Sequence, residues 1–130
     1  MTLFKALCYF IGVVQLVLAA MYLFAPQFFV AWQGLSEIGQ DINYPLAMLA
    51  GRFLVYGIGM FVIASDPVRY RIWADGMILI QAVDLAAGLF YTATGVVAPE
   101  HSAFPMIDAA LFIIGLVWLR RATGLKQAVA

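Results

Sequence analysis

Charge is scarce in this chain of 130 residues, because aspartate, glutamate, lysine and arginine together make up only 11% of it. A soluble domain usually carries about a quarter charged residues. With 65% hydrophobic residues, so small a chain has too few polar side chains to cover a surface that faces water. The seven basic and seven acidic residues cancel, so nothing suggests a nucleic acid as partner. The composition predicts a membrane protein whose first partner is the lipid bilayer.

Cysteine and histidine are scarcer still, with one of each, Cys8 and His101. A single cysteine forms neither an internal disulfide nor a redox-active pair, which argues against a thiol-oxidising enzyme. A single histidine outside the apolar segments supports neither a Ser-His-Asp arrangement nor a haem or di-iron centre. The sequence also lacks a glycine-rich phosphate loop. We therefore predict no catalytic residues and no metal site, and the sequence identifies no cofactor.

Long hydrophobic runs, by contrast, are plentiful. A helix needs about 20 apolar residues to cross the hydrocarbon core of a membrane. We predict spans at about residues 3–24, 45–65, 71–97 and 104–119. Proline lies at each break, where it supplies no N–H and disfavours helix in the residue before it. The predicted fold is one all-α domain, residues 1–130, that forms a four-transmembrane-helix bundle.

The first span and the link after it need separate interpretation. The first apolar run is longer than the hydrophobic part of a signal peptide, so we expect it to be retained as a helix. The link that follows is about 20 residues long, which is unusual for a plain loop. Its start, FFVAW, is typical of a segment that lies flat in the membrane interface, with Trp32 among the lipid headgroups. We expect an ordered amphipathic connector.

The positions of the basic residues predict the orientation of the bundle. They lie at the N-terminus, in the second link and in the C-terminal tail: Lys5, Arg69, Arg71, Arg120, Arg121 and Lys126. The first and third links carry no lysine or arginine, and instead contain Glu37, Asp41, Glu100 and His101. Because basic residues concentrate on the cytoplasmic side, we expect both termini in the cytoplasm.

Arg52 is the one basic residue in the interior of a predicted span rather than near its end. A charged side chain at the centre of a span costs about 2.5–3.5 kcal/mol even on lenient scales, so it needs a partner. The third and fourth spans offer Asp84 and Asp108, whose distances from the basic ends of their spans match that of Arg52 within one residue. At about 1.5 Å per residue, all three lie in one layer about 18–20 Å from the inner face.

More polar side chains are expected near this layer. Gln15 and Gln81 fall at equal depth one turn closer to the inner face, where two amides would hydrogen bond across helices. Tyr56 lies one turn from Arg52, and Tyr91 lies two turns from Asp84. The predicted intramembrane polar cluster therefore consists of Arg52, Asp84, Asp108, Gln15, Gln81, Tyr56 and Tyr91.

Two interpretations of this cluster stay open at the level of sequence. Polar residues within a bundle often serve only to join helices, at about 0.6 kcal/mol each on average. Ionisable residues in a membrane also mark the paths of substrates, ions or protons. One arginine and two aspartates leave one negative charge over. Either one aspartate is protonated, or a cation or polar ligand completes the set.

The chain resembles a known group of proteins in three stretches: APQFF after the first span, AGRFLVYGIGMFVIASDPVRYRIWADGMILIQAVDLAAGLFY across the second and third, and IDAALFIIGLVWLRR in the fourth. These stretches are similar to the small DoxX-like and BphX-like proteins of the bacterial inner membrane. The resemblance implies a four-helix fold, that location, and the pairing of Arg52 with Asp84. Some members are linked with quinones, thiol redox chemistry or aromatic degradation, and the lone Cys8 departs from the thiol branch.

Three functions are compatible with these observations. The leading prediction is a non-enzymatic accessory or assembly subunit of a larger membrane complex, or a homo-oligomer. One alternative is a small proton-coupled or anion carrier that uses Arg52, Asp84 and Asp108. Another is a redox helper that binds a quinone or other isoprenoid near Tyr56, Tyr91 and the interface tryptophans. A water-reachable cavity around Arg52 would favour a carrier, a flat apolar face an accessory subunit, and a wedge between helices a quinone site.

Overall fold

Four long helices form the bundle, and a short helix lies in the first link. The computed structural model describes residues 1–36 and 39–122. Its helices are α1 (Thr2–Phe24), α2 (Pro26–Trp32), α3 (Asn43–Ser65), α4 (Arg71–Ala93) and α5 (Pro99–Ala122), and a 3-10 turn, Gln40–Ile42, precedes α3. The described residues form no strand. Helices α1, α3, α4 and α5 are long and apolar enough to cross a membrane, which confirms the predicted all-α bundle with four spans.

The two ends of the bundle differ in composition. What we call the basic end holds the start of α1, the α3–α4 turn and the end of α5, with every described lysine and arginine except Arg52. An ion pair between Arg120 and Asp75 joins α5 to α4 there. The opposite end, which we call the loop end, holds α2, the 3-10 turn and the α4–α5 link. Glu37 and Lys126, on which the predicted orientation also drew, lie outside the described residues.

The α4–α5 link corrects two predicted boundaries, since α4 ends at Ala93 rather than near 97 and α5 begins at Pro99 rather than near 104. Gly95 has a φ of +74°, and its N–H donates to the Thr92 carbonyl at 3.1 Å. The Val96 N–H donates to the Tyr91 carbonyl at 3.0 Å. This hydrogen-bond pattern terminates a helix at a left-handed glycine. Pro99 then begins the next helix, because a first helical residue needs no N–H.

The long first link is partly helical, as the prediction of an ordered connector required. Helix α2 is attached to the start of α3 by the Gln27 side chain, whose Nε2 donates to Oδ1 of Asn43 at 2.7 Å. Trp32, at the end of α2, is mostly exposed. The connector therefore covers part of the loop end and has its own fixed attachment to the bundle.

The helices associate as two pairs that meet mainly at the basic end. Helix α1 packs along α3 and α4 along α5, whereas α3 with α4 and α1 with α5 touch less. The buried core belongs to the half of the bundle next to the basic end: Phe4, Cys8, Ile11, Met60, Ile63, Ala64, Ala74, Met77, Phe112, Leu116 and Leu119. The rings of Phe10 and Phe112 make an edge-to-face contact between α1 and α5 there, with centroids 6.2 Å apart. One half of the bundle is thus densely packed.

Glycines allow α1 and α3 to approach closely. A Cβ placed on Gly57 would lie 2.8 Å from Cδ2 of Leu16 and 3.2 Å from its backbone nitrogen. A Cβ on Gly12 would lie 2.7 Å from the Phe61 ring and 3.1 Å from the Gly57 carbonyl oxygen. Since lipid supplies no hydrophobic force between helices, such small residues at an interface increase the van der Waals contact that holds it together.

We expect Gly57→Val to lower the free energy of unfolding by about 1–3 kcal/mol, because the added methyl groups push α1 away from α3. The matched control is Gly51→Val in the same helix, where a Cβ would meet nothing within 4 Å. Both variants change helix propensity alike. Unfolding by sodium dodecyl sulfate in mixed micelles measures the difference, and equal stability of the two variants would contradict the close approach.

Candidate functional site

Each spanning helix contributes one polar residue that lies nine residues from the loop end of that helix: Gln15, Arg52, Asp84 and Asp108. At about 1.5 Å per residue, all four lie about 13–14 Å from their helix ends. We call these four residues the polar layer. The depth of Gln15, counted from Lys5, placed it one turn closer to the basic end. Counted from Thr2, where α1 begins, it belongs to the polar layer. Gln81 lies about one turn nearer the basic end.

The polar layer contains a two-pronged ion pair. Nη1 of Arg52 donates to Oδ1 of Asp84 at 3.2 Å, and Nη2 donates to Oδ2 at 3.1 Å. The two side chains are 30% and 36% exposed, so the pair is partly open. Paired N–H···O bonds of this kind are the strongest arrangement between arginine and a carboxylate. The pair joins α3 to α4 where these helices otherwise touch little.

A cavity of about 760 Å³ lies at the loop-end half of the bundle, with the polar layer in its wall. Ligand pockets for drug-sized molecules typically measure about 300–1,000 Å³. The cavity extends along α5 from Glu100 near the loop end to Asp108, about 12 Å at 1.5 Å per residue. Gln33 and His101 also line its outer part. Arg52, Asp84 and Asp108 therefore lie in the inner part of a space of ligand size.

Five of the aromatic rings that line the cavity form a continuous series, which we call the aromatic wall: Phe53, Tyr22, Phe29, Trp32 and Phe104. Successive ring centroids are 5.4, 4.8, 5.8 and 6.3 Å apart in that order. At the inner end of the series, Cζ of Arg52 lies 4.8 Å from the centroid of the Phe53 ring. The wall connects the polar layer to the exposed outer part of the cavity.

Two amides line the inner part of the cavity, and they do not bond to each other as the sequence analysis expected. Gln15 is 3% exposed and Gln81 is 4% exposed. Nε2 of Gln81 donates weakly to Sδ of Met77, one turn away, at 3.5 Å. Gln15 makes no hydrogen bond to any residue that the structure describes. Because the Gln15 amide lines the cavity, a bound molecule can hydrogen bond to it. Among the described residues, the fully buried side-chain atom without a hydrogen-bond partner is Nε of Arg52.

Asp108 is the second aspartate considered as a partner for Arg52, and the structure leaves it unpaired. Asp84 occupies both terminal nitrogens of Arg52. Among residues 1–36 and 39–122, Asp108 has neither a hydrogen-bond nor an ion-pair partner, and its half-buried side chain faces the cavity. The cavity wall thus carries three carboxylates, those of Asp84, Glu100 and Asp108, against one arginine.

The two predicted tyrosines lie outside this cavity. Tyr56 packs edge-on against Trp73, with ring centroids 5.8 Å apart, on the side towards the basic end. Tyr91 lines an adjoining space of about 210 Å³ and packs against Phe90. Their depth along the helices predicted that they lie near the cluster. Their side chains point in other directions around the helix axes, so they lie outside the cavity.

Two features of the cavity were not predicted from the sequence, namely His101 in its outer part and the aromatic wall. His101 lies in the first turn of α5 rather than in a link, is half-buried, and lies against the backbone of Gly34. Its position seven residues before Asp108, two helical turns, is a signal that places both on one face of α5. The aromatic wall had no such signal, because its rings come from four different helices.

No family model, curated protein or solved structure matches the chain. Within the described parts of the chain, no three His, Cys, Asp or Glu side chains come together to hold a metal ion. What the geometry provides is an ion pair, an unpaired carboxylate and two buried amides at the bottom of a largely apolar cavity. These are groups that bind and orient a ligand.

We expect Arg52→Leu to lower the free energy of unfolding by about 1–3 kcal/mol, because it leaves the Asp84 carboxylate half-buried without its partner. Asp84→Leu should cost a similar amount for the converse reason. The double variant Arg52→Leu/Asp84→Leu should recover most of the loss, since both charges disappear together. A double-mutant cycle in mixed micelles measures this coupling, and strictly additive losses would show that the two side chains do not interact.

Proposed function

We propose that this small integral membrane protein is a non-enzymatic carrier that holds one small amphipathic molecule between its two helix pairs. The observation that supports this proposal most directly is the cavity of about 760 Å³ around Arg52. Phe28, Trp32 and Phe104 on its wall are each more than 60% exposed, so a molecule can approach the outer part from the surroundings. Its inner part offers charge and hydrogen bonds.

The side chains of the cavity favour binding over a reaction on the bound molecule. No serine, threonine, cysteine or lysine is found among the described residues that line it, so the nucleophiles on its wall are limited to carboxylates, His101 and Tyr22. The histidine of the wall, His101, lies near the loop end, seven residues along α5 from Asp108, and so not beside the inner polar groups. The aromatic and aliphatic remainder of the wall suits the apolar part of a ligand.

The geometry supports the other candidate ligands less well. An anion would have to compete with Asp84, which already holds both terminal nitrogens of Arg52. A quinone held between Tyr56 and Tyr91 would need those two side chains on one surface, and they face different surroundings. Neither ligand class is supported as well as an amphipathic molecule held between the polar layer and the aromatic wall.

An accessory or self-assembling role is the second candidate, and one feature of α4 favours it. Only Ala74, Met77 and Gln81 of this helix are buried, and apolar side chains such as Leu79 and Val83 point outwards. Lipid covers such a face in a monomer, and a neighbouring helix covers it in a complex. This role predicts a fixed ratio of chains in the purified assembly.

We expect native mass spectrometry of the protein in mild detergent to show one small molecule per chain. Leu49→Trp, which fills the cavity, should remove that extra mass. The control Leu54→Trp makes the same change on the exposed side of α3 and should retain it. A wild-type chain that carries no ligand and takes up none of the amphipathic molecules offered would refute the carrier. Other polypeptides at a fixed ratio would support the accessory role instead.

We further propose that the protein lies in the bacterial inner membrane with both termini in the cytoplasm. The support is the grouping of Lys5, Arg69, Arg71, Arg120 and Arg121 at one end of the bundle, since basic residues favour the cytoplasmic side. Membership of the DoxX-like group stays a prediction from the quoted stretches of sequence.

Reporter fusions test this orientation. Green fluorescent protein fused after Ala130 should fluoresce, and alkaline phosphatase fused there should be inactive, because both reporters would remain in the cytoplasm. Phosphatase fused after Val97, in the α4–α5 link, should be active, which controls for export of the reporter. The reverse pattern at both positions would place the basic end outside.

A further inference from the structure

We infer that the ligand of the cavity is an organic cation with aromatic or bulky apolar groups, for which Asp108 is the counter-ion and the aromatic wall the apolar surface. This inference rests on the proposed carrier function and specifies its substrate class. Substituted ammonium and phosphonium ions share the required chemistry. Such a cationic group can belong either to a free organic cation or to the amine headgroup of a lipid.

The balance of charge is the first argument. The only basic side chain on the described cavity wall with a fixed positive charge, Arg52, is already paired with Asp84. Asp108 faces the same space without a partner in the described part of the chain, and Glu100 adds a further carboxylate near the loop end. A carboxylate in an apolar membrane region is costly unless it is protonated or a positive charge accompanies it. A cation supplies that charge, whereas an anion would increase the imbalance.

The aromatic wall is the second argument, and it is independent of the first. The faces of aromatic rings attract cations, most strongly for tryptophan. The wall already holds one cationic group in this manner, since Cζ of Arg52 lies 4.8 Å from the Phe53 ring centroid. Trp32, Phe29 and Tyr22 continue the wall outwards from that point. A cation with apolar substituents can therefore contact both the rings and the Asp108 carboxylate.

The Gln15 amide on the cavity wall is the third argument. This side chain is 97% buried, lines the cavity, and has no hydrogen-bond partner among the described residues. Its carbonyl oxygen is the negative end of a dipole, which a bound cation stabilises. Gln15 and Asp108 lie at the same level on α1 and α5. Asp108 thus offers a negative charge, and Gln15 a partial negative charge, to one ligand.

The test compares two ions of equal shape and opposite charge, tetraphenylphosphonium and tetraphenylborate. The full chain is placed in nanodiscs of phosphatidylglycerol, which has no amine headgroup, and titrated with each ion against empty nanodiscs. A Trp73→Phe/Trp118→Phe background leaves Trp32, on the cavity wall, as the one tryptophan reporter. We expect saturable quenching of Trp32 by the phosphonium ion and not by the borate.

Two variants examine the counter-ion. Asp108→Asn should raise the Kd of the phosphonium ion about tenfold, equivalent to about 1.4 kcal/mol. Asp41→Asn makes the same change at an exposed loop-end position outside the cavity wall and should leave the Kd unchanged. Asp108→Glu keeps the charge and should retain binding, so it separates loss of the counter-ion from a disturbance of the fold.

The possible outcomes separate a failure of this inference from a failure of the carrier function on which it rests. If the borate binds as tightly as the phosphonium ion, or if Asp108→Asn binds the cation like the wild type, the cation inference is overturned and the carrier stands. If neither ion nor neutral triphenylphosphine oxide binds, both fall. If added phosphatidylethanolamine competes with the phosphonium ion, the source of the cation is a lipid headgroup. If it does not compete, the source is a free cation. Either result requires cation binding.

Discussion

The ion pair between Arg52 and Asp84 is the interaction on which the rest of the site depends. An arginine within an apolar helix is costly, and the two-pronged bond to Asp84 compensates that cost. The same bond joins α3 to α4 at the level of the cavity, where the two helix pairs touch little. By occupying both terminal nitrogens of Arg52, it also leaves Asp108 without a partner among the described residues. One contact therefore connects the pairs at the level of the cavity and sets the charge balance there.

The bundle divides into a dense half and an open half for a physical reason. Helices in a bilayer gain little by hiding apolar surface from one another, so close contact requires small or well-fitted side chains. Gly12 and Gly57 bring α1 and α3 together, and core residues such as Ile11, Met77 and Leu116 fill the half next to the basic end. Towards the loop end, large rings and polar groups line a space that the helices do not fill. The packed half gives the open half a rigid base.

The sequence predicted the number and nature of the spans well and their ends less well. Hydrophobicity over about 20 residues is a property of composition, so four apolar runs suffice to predict four helices. The ends of α4 and α5 depended on local backbone geometry, because Gly95 terminates one helix and Pro99 begins the next. A proline that is compatible with the first turn of a helix is a weak stop signal.

The chain sequence by itself determined which residues share a level in the bundle, since residue number converts directly into depth along a helix. Arg52, Asp84 and Asp108 were placed together on that basis. Only the tertiary structure decided which aspartate pairs with Arg52. It also decided that the amides of Gln15 and Gln81 line a cavity instead of bonding to each other, and that an aromatic wall assembles from four helices. Depth follows from counting along one helix, whereas partners depend on how each helix is rotated and which helix is its neighbour. Those two properties arise only when the whole bundle packs.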